Sequence, residues 1–194
     1  MLKLYNNFYK TRKHNLINKY VSIICIIFIS SNNIEAKNEK LSLLTAPAGF
    51  SIEIFAEDIK SPRQIAEGKK YIYTASGPMG EIYALLDVDN DNKIDSKIIL
   101  AKGLNNSRGV TFKDGDLYFA EVDKIWVIKN VEEQLDLNTN KLPKKELITD
   151  NLPSDAWHGW KWIKHGPDGK LYVPVGAPCN VCLKDDPRYA SIMR

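Results

Sequence analysis

The chain has 194 residues, with 27 Lys and Arg against 24 Asp and Glu and a formal charge of +3 at neutral pH. Five of the basic residues and one of the acidic ones lie in the first 36 positions, leaving 22 against 23 and a charge of −1 for the rest. A nucleic-acid partner or an anionic surface calls for a basic patch, and the remaining sequence supplies none.

Residues 1–36 read as a targeting segment. Lys3, Lys10, Arg12, Lys13 and Lys19 form a basic region, Val21 to Ile29 an apolar run, and Ala36 a small residue at a cleavage position. A bilayer-spanning helix takes roughly 20 apolar residues, and this run is shorter. The expectation is a secretory signal peptide cut near Ala36, hence a periplasmic or secreted protein with no stable membrane insertion, the alternative being an uncleaved anchor. Cys25 lacks the small residues that precede a lipoprotein cysteine, so no lipid anchor is expected. Residues 37–194 suffice for one domain of ordinary size.

From there one pattern returns three times: a short strand, a turn with Gly or Asp-Gly, and a second strand carrying an aliphatic-Tyr pair. The copies are Arg63 to Ala66 with Ile72 to Ala75, Arg108 to Phe112 with Leu117 to Ala120, and Gly159 to Ile163 with Leu171 to Pro174. Further strands fit at Glu81 to Leu86, Lys97 to Ala101, Lys124 to Lys129 and Glu146 to Thr149, with one helical turn within Val131 to Leu137. The Tyr positions stand 45 and then 54 residues apart, the period of β-propeller blades with about four strands each. The fold class is therefore all-β, a β-propeller with about three blades. Propellers close with typically four to eight blades, so the expectation is an incomplete ring, the N-terminal part of a longer domain. A half-ring that dimerises is the alternative.

Three places could carry chemistry. Asp87, Asp89, Asp91 and Asp95 match positions 1, 3, 5 and 9 of a calcium loop, although Asn92 stands where glycine is usual and Ile98 where the bidentate Glu belongs. The choice there lies between a weak Ca2+ site and an empty acidic turn. Cys179 and Cys182 form a C-x-x-C with Leu183 next, which does not meet the haem-attachment pattern. As the two cysteines left in an exported chain, they are expected to form a loop disulfide. His158 precedes the third repeat in a segment rich in Trp157, Trp160 and Trp162, and is either a base or a packed residue. His165, before the turn, reads as structural. The tryptophans offer stacking faces, or Trp160 and Trp162 share one strand face as core. Lys161 reads as a cation for an acidic cofactor or as part of a solvated face.

The stretch from Trp157 to Cys182, with its Gly166-Pro167-Asp168-Gly169 turn, resembles the soluble quinoprotein glucose/sorbosone dehydrogenase family. The Gly176 to Cys182 segment, with Asp185-Asp186-Pro187 after it, is more similar to the sorbosone branch. The resemblance covers most of residues 47–194. It implies a six-bladed propeller with pyrroloquinoline quinone (PQQ) and possible Ca2+ as cofactors, a small sugar substrate and a separate electron acceptor. His158, eight residues ahead of Gly166, then takes the place of the general base. Where the family presents a glutamine to the cofactor, this chain has Asn105 and Asn106. Lys161 and Trp160 are the other implied cofactor contacts.

The function expected is a periplasmic PQQ-dependent dehydrogenase oxidising an aldose or sugar aldehyde. The alternatives are a non-catalytic or inactive propeller fragment, or a calcium-dependent lactonase-type propeller with channel carboxylates. No carboxylate stands at the strand starts Arg63, Arg108 or Gly159, although Glu121 follows one strand. Residues 37–194 alone are expected to fail to bind the quinone, because a half-ring exposes blade edges and lacks most cofactor contacts.

Overall fold

The computed structural model describes residues 41–137, 139 and 141–194; the expected signal segment lies outside them. The chain divides into two units, Met1–Glu53 and Ile54–Arg194. The described part of the first contains two backbone turns, Leu44 N–H to Leu41 O and Phe50 N–H to Pro47 O.

The second unit is built of antiparallel sheets. The first sheet runs β1 (Pro62–Glu67), β2 (Ile72–Ser76), β3 (Glu81–Leu86) and β4 (Ser96–Ala101) in spatial as in chain order. The second repeats that order with β5 (Gly109–Lys113), β6 (Asp116–Ala120), β7 (Ile125–Ile128) and β8 (Glu146–Thr149). The third pairs β9 (Lys164–His165), β10 (Leu171–Val175) and β11 (Ser191–Met193). Two 3-10 turns, Gly77–Met79 and Val131–Glu133, are the helical elements that interrupt the strands. Among the described residues, no helix is long and apolar enough to cross a membrane.

The middle strands are near-continuous apolar runs because both of their faces are covered. Tyr73, Ala75, Ile82 and Ala84 of the first sheet pack with Val110, Leu117, Phe119 and Ile128 of the second, all essentially buried. A second cluster joins Ala120, Ile125, Leu152, Ile163 and Val173 between the second and third. Each fully buried large aliphatic or aromatic side chain here stabilises the fold by about 1.5–3 kcal/mol.

Two polar side chains tie sheets together. Gln64 of β1, 5% exposed, donates its amide N–H to Ile163 O at 2.7 Å and accepts Val110 N–H at 3.2 Å. Glu132 accepts the backbone N–H groups of Lys69 and Lys70 and the Tyr73 hydroxyl, clamping the β1–β2 turn onto the second sheet.

The third repeat departs from the sequence expectation. Gly159 to Ile163 is extended but is not a strand; pairing begins only at Lys164 opposite Tyr172. Its Ile163 carbonyl serves another partner, the Gln64 amide, and Lys161 O packs closely on β5, 2.3 Å from where a Cβ on Gly109 would sit. Glycine at 109 is what permits that approach. The segment keeps strand-like alternation, with Gly159, Lys161 and Ile163 buried and Trp160 and Trp162 exposed at 42% and 56%. The two tryptophans share a face as expected, but that face is open and not core. Lys161, expected on a solvated face, is 1% exposed.

The registers place three chain segments at one end of the sheets. Pro62 pairs with Ser76 and Gly109 with Ala120, while Gly176, just past β10, lies against His158.

Candidate functional site

At this end Arg63, at the second residue of β1, and Arg108, just before β5, bring their guanidinium groups over the Trp160 ring, 6.0 and 4.6 Å from its centroid. Neither arginine has a carboxylate partner among the described residues. Burial and the charge of Arg63 push the Arg108 pKa down. Two like charges held over one indole ring, with no carboxylate partner among the described residues, favour an anion. Asn106 orients Arg108, its side-chain oxygen accepting Arg108 Nε–H at 2.9 Å. A Cβ on Gly77 would stand 2.6 Å from the Arg108 side chain, so glycine leaves room for the arginine stem.

His158 is half-buried and adopts a left-handed backbone conformation, φ 54°. Its Nδ1 lies 3.0 Å from Ala177 O. A carbonyl oxygen only accepts, so Nδ1 carries the proton, and in the neutral ring the lone pair falls on Nε2. A Cβ at Gly176 would meet His158 O at 2.7 Å, which explains glycine there. The Trp157 ring flanks the imidazole at 5.4 Å and is itself 64% exposed.

Lys161 turns inward and donates from Nζ to Gly159 O. Its burial pushes its pKa down, opposed by the charge of Asp123. It acts inside the protein, whereas the cations that face outward here are the two arginines. Asn105 is exposed and its backbone N–H is given to Glu121. Glu121 also accepts Trp126 Nε1–H at 2.6 Å, so both its oxygens are committed inside the second sheet and it is not a free channel carboxylate. His165 packs edge-on against Tyr118 at 4.7 Å, with Nδ1 3.4 Å from the Thr111 hydroxyl. Burial is the main cause of its lowered pKa.

The Asp87–Asp95 loop lies at the opposite end of the first sheet, after Leu86 of β3, whose other end pairs Glu81 with Ser76. Oxygens of Asp87, Asp89 and Asp95 come within 4.8 Å of one another. Asp91 is not one of that group; it accepts Lys93 N–H at 2.8 Å. The loop also caps itself, with Asp87 accepting Asn90 and Asn92 N–H and Asp95 accepting Val88 N–H.

Cys179 and Cys182 are joined by a disulfide, with Cα atoms 5.9 Å apart. Closing so short a loop stabilises the fold by only about 2 kcal/mol on the chain-entropy model, so its effect is local.

Sequence reasoning missed the arginine pair. The signal is present in the sequence, since Arg63 and Arg108 occupy matching positions in the first two repeats.

No family model matches the chain. An uncharacterized protein of Borreliella burgdorferi is 31% identical over 179 residues, which is 87% of this chain and 45% of that protein. The chain thus spans less than half the length of this relative. Among solved structures, the PQQ domain of pyranose dehydrogenase from Coprinopsis cinerea superposes with a TM-score of 0.56 at 13% identity, over 71% of this chain and 33% of that one. The PQQ-bound aldose sugar dehydrogenase of Streptomyces coelicolor gives 0.46 at 17% identity, over 66% of this chain and 42% of that one. The first likeness shows the fold: antiparallel sheets arranged as in a PQQ-dehydrogenase-type propeller domain.

Proposed function

We propose that this chain is the N-terminal part of a six-bladed, PQQ-dependent sugar dehydrogenase, exported to the periplasm or beyond. The substrate class is an aldose or sugar aldehyde, and the electrons leave to a separate acceptor. The observation that carries this reading is the Arg63–Arg108–Trp160 group, at the end of the sheets where His158 also lies. PQQ is a flat aromatic quinone bearing carboxylates, and paired guanidinium groups over an indole suit such a molecule.

In this reading Arg63 and Arg108 hold carboxylates and Trp160 offers an aromatic face. Asn106 keeps the Arg108 fork in place. When bound, the quinone would supply the acceptor for a hydride, which carries both electrons of the oxidation. His158 supplies the base: with Nδ1 committed to Ala177, Nε2 takes the proton of a sugar hydroxyl as its C–H bond is broken. Lys161 contributes indirectly, through its bond to the carbonyl beside His158. Ca2+ at the Asp87–Asp95 loop is a second, separate proposal; at the far end of its sheet an ion there supports the loop and not the quinone.

The chain spans under half of its relative, so residues 37–194 alone are expected to give no tight calorimetric titration with PQQ. Weak binding is read instead from the Trp160 indole and the Arg63 and Arg108 Nε resonances of the purified chain with millimolar PQQ. The expected result is saturable shifts, abolished by Arg63→Ala together with Arg108→Ala. Resonances that stay put, or shifts that survive the double substitution, would sink the assignment.

A further inference from the structure

We propose that the Cys179–Cys182 pair is a thiol–disulfide exchange site for dithiols, and that its state sets the tautomer and orientation of His158. The functional consequence rests on the dehydrogenase reading; the exchange chemistry and its effect on the imidazole do not.

The chain leaves β10 at Val175 and re-enters pairing at Ser191. Within this excursion Ala177 holds His158 Nδ1, and Cys179 follows two residues later. Among the described residues, no backbone–backbone hydrogen bond anchors residues 177–185. The stretch is held by the disulfide, by the Ala177–His158 bond and by the Lys184–Asp155 ion pair at 3.5 Å. The next ties lie further on, from Arg188 to Asn151 and from Tyr189 to Asp155. The covalent link is therefore the main restraint on the exposed tip of the loop that carries the Ala177 carbonyl.

That link is reachable. Cys182 is exposed, and its neighbours Val181 and Leu183 are 96% and 100% exposed. Cys179 is half-buried. A dithiol's thiolate attacks the open Cys182 sulfur, the S–S bond breaks, and Cys179 leaves as the thiolate and takes a proton. The reductant's second thiol then attacks the mixed disulfide and releases Cys182. The reductant ends as a cyclic disulfide, and two electrons and two protons have passed to the cysteines. With the loop open, the Ala177 carbonyl is no longer fixed opposite Nδ1, and the proton distributes over both ring nitrogens.

The test uses the chain labelled with 15N at histidine, at a pH where the rings are neutral, with dithiothreitol as the probe. The oxidised chain is expected to show His158 as one tautomer, protonated at Nδ1 and bare at Nε2. Millimolar dithiothreitol should expose two titratable thiols and move both His158 nitrogens toward a tautomer mixture. A Cys179→Ser, Cys182→Ser variant should give the mixed signals with or without the reductant. Two free thiols with unchanged His158 signals would overturn the proposal. So would a disulfide that resists the reductant in the folded chain, or a folded double variant that keeps the single tautomer. Loss of the PQQ shifts described above leaves this readout intact, so the two readings fail separately.

Discussion

The side chain least expected from its type is Lys161. A lysine between two tryptophans reads as a surface residue, yet it is 1% exposed and its ammonium faces a single carbonyl, that of Gly159. Desolvation makes such a charge costly, and it is the first cause of the lowered pKa. The sign follows. The folded state gives up its proton before the unfolded state does, so stability rises with pH from the lowered folded value up to the ordinary 10.5. Lys161→Met should therefore raise stability by about 1–3 kcal/mol at neutral pH and flatten that rise. Thermal melts of both chains across alkaline pH check it, and a destabilised Met variant would show that the Gly159 contact outweighs the desolvation cost. The burial of Lys161 was not legible in the sequence because alternation fixes which residues share a face, not which face is turned inward.

Elements were easier to read than residues. The eight strands of the first two sheets were legible because short apolar runs are punctuated by Asp-Gly, Gly-Lys or Asn-rich turns. The inner segment of the third repeat was not, because its Ile163 carbonyl is taken by the Gln64 amide of the first sheet, a tertiary event with no local signature. Gln64 is the clearest case, joining Val110 of the second sheet and Ile163 near the third from a strand 99 residues away from the latter. Removing its amide leaves a buried N–H and a buried carbonyl without partners, at about 1–3 kcal/mol each. Gln64→Ala is expected to lower the unfolding free energy by about 2–5 kcal/mol, measured by urea denaturation. A loss below about 0.5 kcal/mol would mean that water replaces the amide.

At the scale of the whole molecule, the two ends of the sheets carry different charge. Arg63 and Arg108 gather at one end, and Asp87, Asp89 and Asp95 at the other. The repeat period made the propeller class legible, but the convergence of the arginines was not, since it depends on how neighbouring sheets meet. The separation has a measurable outcome. Ca2+ at millimolar concentration is expected to raise the melting temperature by a few degrees, and chelation or Asp87→Asn with Asp95→Asn to abolish the rise, while PQQ-induced shifts at Trp160 stay the same. A calcium requirement for those shifts would place the ion at the other end.

The left-handed backbone at His158, φ 54°, also bears on how a base-free control should be built. Alanine at 158 would be penalised in that conformation, so it would remove the imidazole and press the loop toward a different path at once. Asparagine tolerates left-handed geometry and can still offer an N–H to Ala177. On the proposed reading, in which His158 is the base, His158→Asn therefore separates the loss of a proton acceptor from a rearranged backbone.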